Sequence, residues 1–253
     1  MSIVNELGGP IATITIDRPE ALNAMDSAMY REITDALREI DRNPDVLVGI
    51  ISGTGGRAFS AGADLKEMHQ STGADGRWRP WRAERWDLGL SVSKPLIAAI
   101  DGYALAGGLE LALFCDIRIA TPRSEFGAPE IKWNLLHGYG ALRLPAIVGV
   151  GNAMMLLLTG EFIDAEEALR IGLINRIVEP AELMREARAI AAGIAEKAPD
   201  AVQMTKELAL RGVDGGLEQN MRLYREYMAR LEGSAEQLRR TGTFGARGAG
   251  EGR

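Results

Sequence analysis

The sequence predicts an α/β fold, in which a first part mixing strands and helices is followed by a helical part. Three observations lead there. Residues 11–17 (IATITID) alternate apolar and polar side chains and are rich in β-branched residues, the pattern of a half-buried strand. Residues 46–52 (VLVGIIS) and 95–100 (PLIAAI) are continuous apolar runs, as in strands covered on both faces. Beyond residue 150 the punctuation becomes that of helices.

The elements follow in order. Arg18 and Pro19 close the first strand, because proline cannot donate to a ladder. Asp26 is placed to cap a helix whose apolar positions Tyr30, Ile33, Leu37 and Ile40 recur at three- and four-residue spacing. Asn43 and Pro44 end it. The run 46–52 leads into a glycine-rich loop over residues 53–62. Residues 66–94 are polar and contain Trp78, Trp81 and Trp86, which serve either as the lining of an apolar pocket or as packing and subunit contacts. Residues 95–100 and 116–120 (DIRIA) are further strands with a helix between them. Asp164 and Glu167 form a helix start and Gly172 a stop. Pro180 and Pro199 stand where a helix's first turn tolerates proline. Residues 183–197, 201–211 and 217–232 read as successive helices, and the glycine-rich end from Thr241 reads as a frayed tail.

Composition narrows the function classes. The chain has 253 residues, 46% hydrophobic and 25% charged, enough for one large domain or a domain with a small appendage. Its net charge is −6, whereas nucleic-acid binders usually carry a basic excess, so no nucleic-acid partner is expected. Cys115 is the single cysteine, which leaves no intrachain disulfide. The first ten residues lack a basic region followed by a long apolar one. The most apolar run, 104–114, is interrupted by Gly107, Gly108 and Glu110 and is too short for a bilayer. A cytoplasmic protein without a membrane partner is the expectation. His69 and His137 are the only histidines and form no Cys/His cluster, so no metal site is expected. Residues 149–151 (GVG) lack the rest of a dinucleotide fingerprint, and residues 53–56 (GTGG) lack the Gly-Lys-Ser/Thr of a phosphate loop. No G-x-S-x-G elbow occurs.

Three segments carry chemistry. In residues 101–116 (DGYALAGGLELALFCD) a strand runs into Gly107 and Gly108, and an apolar helix begins there. Two glycines let backbone approach a ligand, and the unpaired first N–H groups of a helix sit at its positive end, where a developing oxyanion can be held. Glu110 falls in the first turn; taken alone it reads as a carboxylate complementing the helix dipole. In residues 59–68 (FSAGADLKEM) Gly62 permits a tight turn, Ala63 or Asp64 begins a helix, and the backbone there offers a second oxyanion donor. In residues 126–140 (FGAPEIKWNLLHGYG) Glu130 follows Pro129; burial in this apolar company would raise its pKa and suit it to donating a proton.

These segments, in this order and spacing, resemble the crotonase (enoyl-CoA hydratase/isomerase) superfamily. So do residues 18–25 (RPEALNAM) and 158–178 (LTGEFIDAEEALRIGLINRIV), and the resemblance covers residues 3–230. It implies a crotonase-like spiral of ββα units over residues 1–195 and a C-terminal helical trimerisation region over 196–253. It implies homotrimers, often stacked as hexamers, and an acyl-CoA thioester substrate, with coenzyme A arriving as part of that substrate and no separate cofactor. It places the enolate-stabilising N–H groups at Ala63 and Gly107, and the CoA and substrate surface along Ala24, Ala61, Asp64, Lys66 and Gly138. Glutamates at both Glu110 and Glu130 match the hydratase pattern, Glu110 activating water and Glu130 protonating C2. Isomerases of the family commonly keep only the second carboxylate. Isomerisation, dehydration of a hydroxyacyl- or carnitinyl-CoA, and acyl-CoA binding without turnover are the alternatives. Two departures stand out. The family's P-G-x-G-G loop reads His137-Gly138-Tyr139-Gly140-Ala141 here, and of the usual E-G-x-x-A-F terminal helix only Glu251-Gly252-Arg253 remains.

Overall fold

The computed structural model of the protein describes residues 3–70 and 85–248. Trp78 and Trp81, and the residues 251–253, lie outside them. The backbone divides into two compact units, Met1–Ala195 and Glu196–Arg253.

Among the described residues the first unit holds ten strands: β1 (Ile3–Glu6), β2 (Ile11–Ile16), β3 (Val48–Gly53), β4 (Ala58–Ser60), β5 (Leu96–Ile100), β6 (Tyr103–Leu105), β7 (Ile117–Ala120), β8 (Glu125–Gly127), β9 (Phe162–Asp164) and β10 (Arg176–Ile177). Its helices are α1 (Ser27–Arg42), α2 (Leu65–Gln70), α3 (Gly107–Phe114), α4 (Gly138–Thr159), α5 (Ala165–Arg170) and α6 (Leu183–Ala195). One sheet has the order β1-β2-β3-β5-β7-β10 and is parallel except for the β1–β2 pair. Its β3 is buried on both faces, which explains the unbroken apolar run: Val48 and Ile50 meet Leu183, Ala187 and Ala191 of α6, while Ile51 joins the main core with α1. The second sheet has the order β4-β6-β8-β9, and its first three strands are parallel. Each is three residues long. The sequence reads β4 as part of a loop, because three residues are too few to display a period.

Local signals account for the elements around the site. The Asp26 carboxylate accepts from Met29 N at 2.9 Å, and Tyr30, Ile33, Leu37 and Ile40 are buried as their spacing predicts. Asn23 and Leu22 adopt positive φ, and the Asn23 amide donates to Thr54 and Ala58 carbonyls at 3.0 and 2.7 Å. Residues 18–25 are thereby clipped against β4. Arg118 on β7 is buried and donates to the Cys115 and Leu173 carbonyls at 2.6 and 2.7 Å, which satisfies the C-terminal end of α3. Asp164 caps α5 through Glu167 N, at 2.8 Å.

The longest apolar helix is α4 rather than the run 104–114. By length and composition it is the one helix among the described residues able to cross a membrane. It is interrupted at Gly149, which is non-helical at φ 76° and ψ 154°, and it buries Leu144, Val148, Ala153 and Leu156 in the core. Those contacts make it a core element with an exposed outer face.

The second unit contains α7 (Pro199–Asp214), α8 (Leu217–Leu231) and α9 (Ala235–Gly248). Here α9 passes Thr241 and runs to Gly248. The cause is a strong start. Ser234 Oγ accepts from Gln237 N at 3.2 Å while Gln237 Oε1 accepts from Gly233 N at 2.6 Å, close to a capping box, and Glu236 pairs with Arg239 and Arg240 one turn on. With nucleation provided, the cost of about 1 kcal/mol per interior glycine is tolerated.

Candidate active site

The order β4-β6-β8 in the second sheet matches the order of the three chemical segments in the chain. Ala63 follows β4, Gly107 and Glu110 follow β6, and Glu130 follows β8, so all three emerge at the same end of neighbouring parallel strands.

The first two segments touch. Gly62 has φ +93°, and a side chain there would lie 2.8 Å from Gly107 N and 2.7 Å from Ala106 Cβ. Ala63 forms an isolated parallel bridge with Met25. That bridge uses Gly62 O and Asp64 N, at 2.7 and 2.8 Å, which turns the Ala63 N–H itself to the opposite side. Gly107 is the first residue of α3, and its N–H has no intrahelical acceptor. The residue before it, Ala106, sits at φ 51° and ψ −127°, a region that a residue with a Cβ rarely enters. Strain at the residue that aims a candidate oxyanion donor is the kind of outlier found at functional sites. A side chain at Gly107 would meet the Tyr30 hydroxyl at 2.4 Å, so that hydroxyl rests against the same backbone.

Glu110 is 6% exposed and accepts from Gly140 N at 3.3 Å. Burial raises its carboxyl above the ordinary glutamate value, and His137 and the Gly140 N–H only partly offset this. Glu130 lies in a short 3-10 turn, Pro129–Trp133, that proline starts. Its Oε1 is 2.7 Å from His137 Nδ1, while its Oε2 is buried without a hydrogen-bonding partner among the described residues. Gly138 opens α4 beside Glu110, whose Oε1 would be 3.8 Å from a side chain there.

The remaining sequence-predicted residues form a neighbouring strip. Arg18 Nη1 donates to the Ala24 carbonyl at 3.1 Å and to Asp64 Oδ2 at 2.7 Å. Ala61 N donates to the Leu22 carbonyl at 3.0 Å. Asp64 does not begin α2 but precedes it, accepting from Lys66 N and Glu67 N at 2.9 and 3.2 Å. Burial works to raise the Asp64 carboxyl, yet Arg18 and these amides outweigh it and hold it below the ordinary value. The Lys66 side chain is exposed.

Two residues of the site went unrecognised in the sequence. Tyr30 reads as an ordinary core position of an amphipathic helix. It is buried, its ring carries the Arg85 guanidinium 3.8 Å above it, and Arg85 is in turn held by Asp87 at 2.8 Å. Burial keeps its phenol protonated well above the usual range, against the pull of Arg85. His137 reads as a change in loop shape, and only the fold brings it to Glu130. Of the tryptophans, Trp86 is fully buried between Tyr30, Phe114 and Tyr139 and acts as packing. Among the described residues no group of three His, Cys, Asp or Glu is gathered as for a metal ion.

The raised Glu110 carboxyl has a consequence for stability. Where a folded-state pKa lies above the unfolded one, the native state binds more protons between the two, so stability falls as pH rises through that window. Glu110→Gln removes this cost and can still accept the Gly140 N–H. The variant is therefore expected to melt at a higher temperature than the wild type at pH 8, with the difference shrinking towards pH 4. A calorimetric series across that range checks it, and an unchanged or lower melting temperature at pH 8 would refute it.

The enoyl-CoA hydratase/isomerase family matches residues 6–241 of the chain. The chain is 42% identical over 214 residues to the short-chain-enoyl-CoA hydratase of Clostridium acetobutylicum, covering 84% of this chain and 82% of that protein. It is 38% identical to the crotonyl-CoA hydratase of Syntrophomonas wolfei, with 87% and 85% covered. Among solved structures, the enoyl-CoA hydratase from Bacillus anthracis superposes with a TM-score of 0.89 at 30% identity, covering 98% of this chain and 97% of that one.

Proposed function

From the premise that this chain belongs to the enoyl-CoA hydratase/isomerase family of the crotonase superfamily, we propose that it is an enoyl-CoA hydratase, adding water syn across the double bond of a 2-enoyl-CoA thioester. The observation that carries the reading is the pair of carboxylates, Glu110 and Glu130, on adjacent turns beside two outward-turned backbone amides. The Ala63 and Gly107 N–H groups donate to the thioester oxygen, on which charge develops as water attacks C3. Ionised Glu110 takes a proton from that water, and burial makes it a stronger base than a free glutamate. Glu130 delivers a proton to C2. Coenzyme A enters with the substrate, along the strip of Ala24, Ala61, Asp64 and Lys66, with Gly138 lining the site beside Glu110.

We further propose a homotrimer, or a hexamer of two trimers, in the cytoplasm. The exposed side of α4 supports self-association, because Leu142, Val150, Met155 and Leu158 are all more than 60% exposed there. Leu217 of α8 is 78% exposed.

The test is the enoyl-thioester absorbance band on addition of crotonyl-CoA, with products analysed after reaction in oxygen-18 water. Loss of the band with one labelled oxygen in the product is the expected result. A shifted double bond without label would mean isomerisation, and tight binding without turnover would mean a binding protein; either overturns the hydratase reading.

A further inference from the structure

The catalytic role of His137 rests on the hydratase reading, and its geometry stands apart from it. His137 stands where the family loop begins with proline, at the N-cap of α4, and its side chain is 3% exposed. Its ring lies between the two carboxylates. One edge, Nδ1, is 2.7 Å from Glu130 Oε1. The other edge packs on Gly140, where a side chain would fall 2.0 Å from Nε2, and Gly140 N is the donor to Glu110 Oε1 at 3.3 Å. A glycine at 140 is thus what admits the imidazole, and the same glycine's amide holds the first carboxylate.

Of the two neutral tautomers of His137, the burial of its surroundings favours one. His137 Nε2 and Glu130 Oε2 are both buried without partners among the described residues. An imidazole with its proton on Nδ1 leaves at Nε2 only an unfilled lone pair. The other tautomer would bury an unsatisfied N–H, which costs more. It would also require the carboxyl proton on Oε1, pointing at the imidazole and away from any substrate. We propose that His137 is a positioning residue for Glu130: by donating Nδ1–H to Oε1, it confines the transferable proton of Glu130 to Oε2, the oxygen left free to face C2. The charged groups around this contact are Glu130 from the 3-10 turn and Glu110 from α3, with Asp87 and its partner Arg85 beside Glu110.

Two measurements test this. The first needs no turnover. With His69 and His137 as the only histidines, nitrogen-15 spectra of the ring nitrogens resolve to two side chains. His137 is expected as the Nδ1–H tautomer, and Glu130→Gln is expected to shift its signals while leaving those of His69 in place. An Nε2–H tautomer, or indifference to Glu130→Gln, overturns the proposal whether or not the protein is a hydratase. The second is crotonyl-CoA hydration by His137→Phe, which keeps a ring without the donor, and His137→Asn, which keeps a donor without the ring. His137→Phe is expected to lower kcat about 10–100-fold, the scale of a misplaced reacting group, with KM nearly unchanged. His137→Asn is expected to recover most of that loss. If the wild type turns over and Phe equals it, or Asn is as impaired as Phe, His137 does not position the acid. If the wild type itself hydrates nothing, the hydratase reading falls, and the nitrogen-15 result decides the pairing by itself.

Discussion

Glutamine at position 110 or at position 130 is expected to slow hydration of crotonyl-CoA by roughly 10²–10⁴-fold, the range of a lost general acid or base. The two substitutions are close to isosteric, so binding should survive. The new amide in Glu110→Gln retains an oxygen for Gly140 N, and the one in Glu130→Gln retains an oxygen for His137. The loss should therefore fall on kcat with KM little changed, the mark of an interaction made in the transition state only. The double substitution should cost far less than the product of the two single losses, because water attack and C2 protonation serve the same transition state. Absorbance of the enoyl-thioester band under saturating substrate measures all three variants. If Glu110→Gln hydrates at the wild-type rate, Glu110 is not the base and its burial needs another explanation.

Gly108→Ala is expected to be as damaging by a different route. A methyl group there would lie 2.1 Å from Ser60 O and 2.7 Å from the Ser60 carbonyl carbon. Neither atom belongs to a flexible side chain. Ser60 ends β4, and its hydroxyl is tied to the Asn23 carbonyl at 2.8 Å. The start of α3 must then lift away from β4, carrying the Gly107 amide and Glu110 with it. Overpacking of this kind costs about 1–3 kcal/mol or more, and a displacement near 1 Å at reacting groups costs about 10²-fold in rate. Denaturant unfolding together with kcat measures both. Gly193→Ala is the control, since it lies inside α6 with nothing within 4 Å, and a gain of about 0.5–1 kcal/mol is expected there. Equal behaviour of the two variants would mean that the contact between α3 and β4 is looser than described.

The contrast between these glycines also marks what can be read from the chain alone. Where one side chain answers another within a turn or two, the reading succeeds. Asp26 caps α1, Asp164 caps α5, and the four apolar positions of α1 are buried because their period requires it. Segments of three residues escape, because β4, β6 and β8 exist through pairing across 22 to 45 positions and not through local pattern. Position 108 is marked in the sequence as a junction glycine, but only the fold shows that the Ser60 carbonyl leaves no room there while position 193 is open. In the site, Glu110, Glu130, Ala63 and Gly107 are named through a family resemblance built on motif order. Tyr30 and His137 escape for a physical reason. Each is an ordinary helix or loop residue until a partner from another element reaches it, Gly107 in the first case and Glu130 in the second.

The row of three short parallel strands has one more consequence, which concerns descent. The amides proposed to steady an enolate come from the turns after the first two strands, and the proposed acid comes from the turn after the third. A lineage can thus rewrite the turn after Gly127, changing where a proton goes, and leave untouched the apparatus that makes the enolate possible. Changes at the third turn leave the two amides in place, yet His137 and Gly140 follow it, and through the Gly140 amide such changes also reach Glu110.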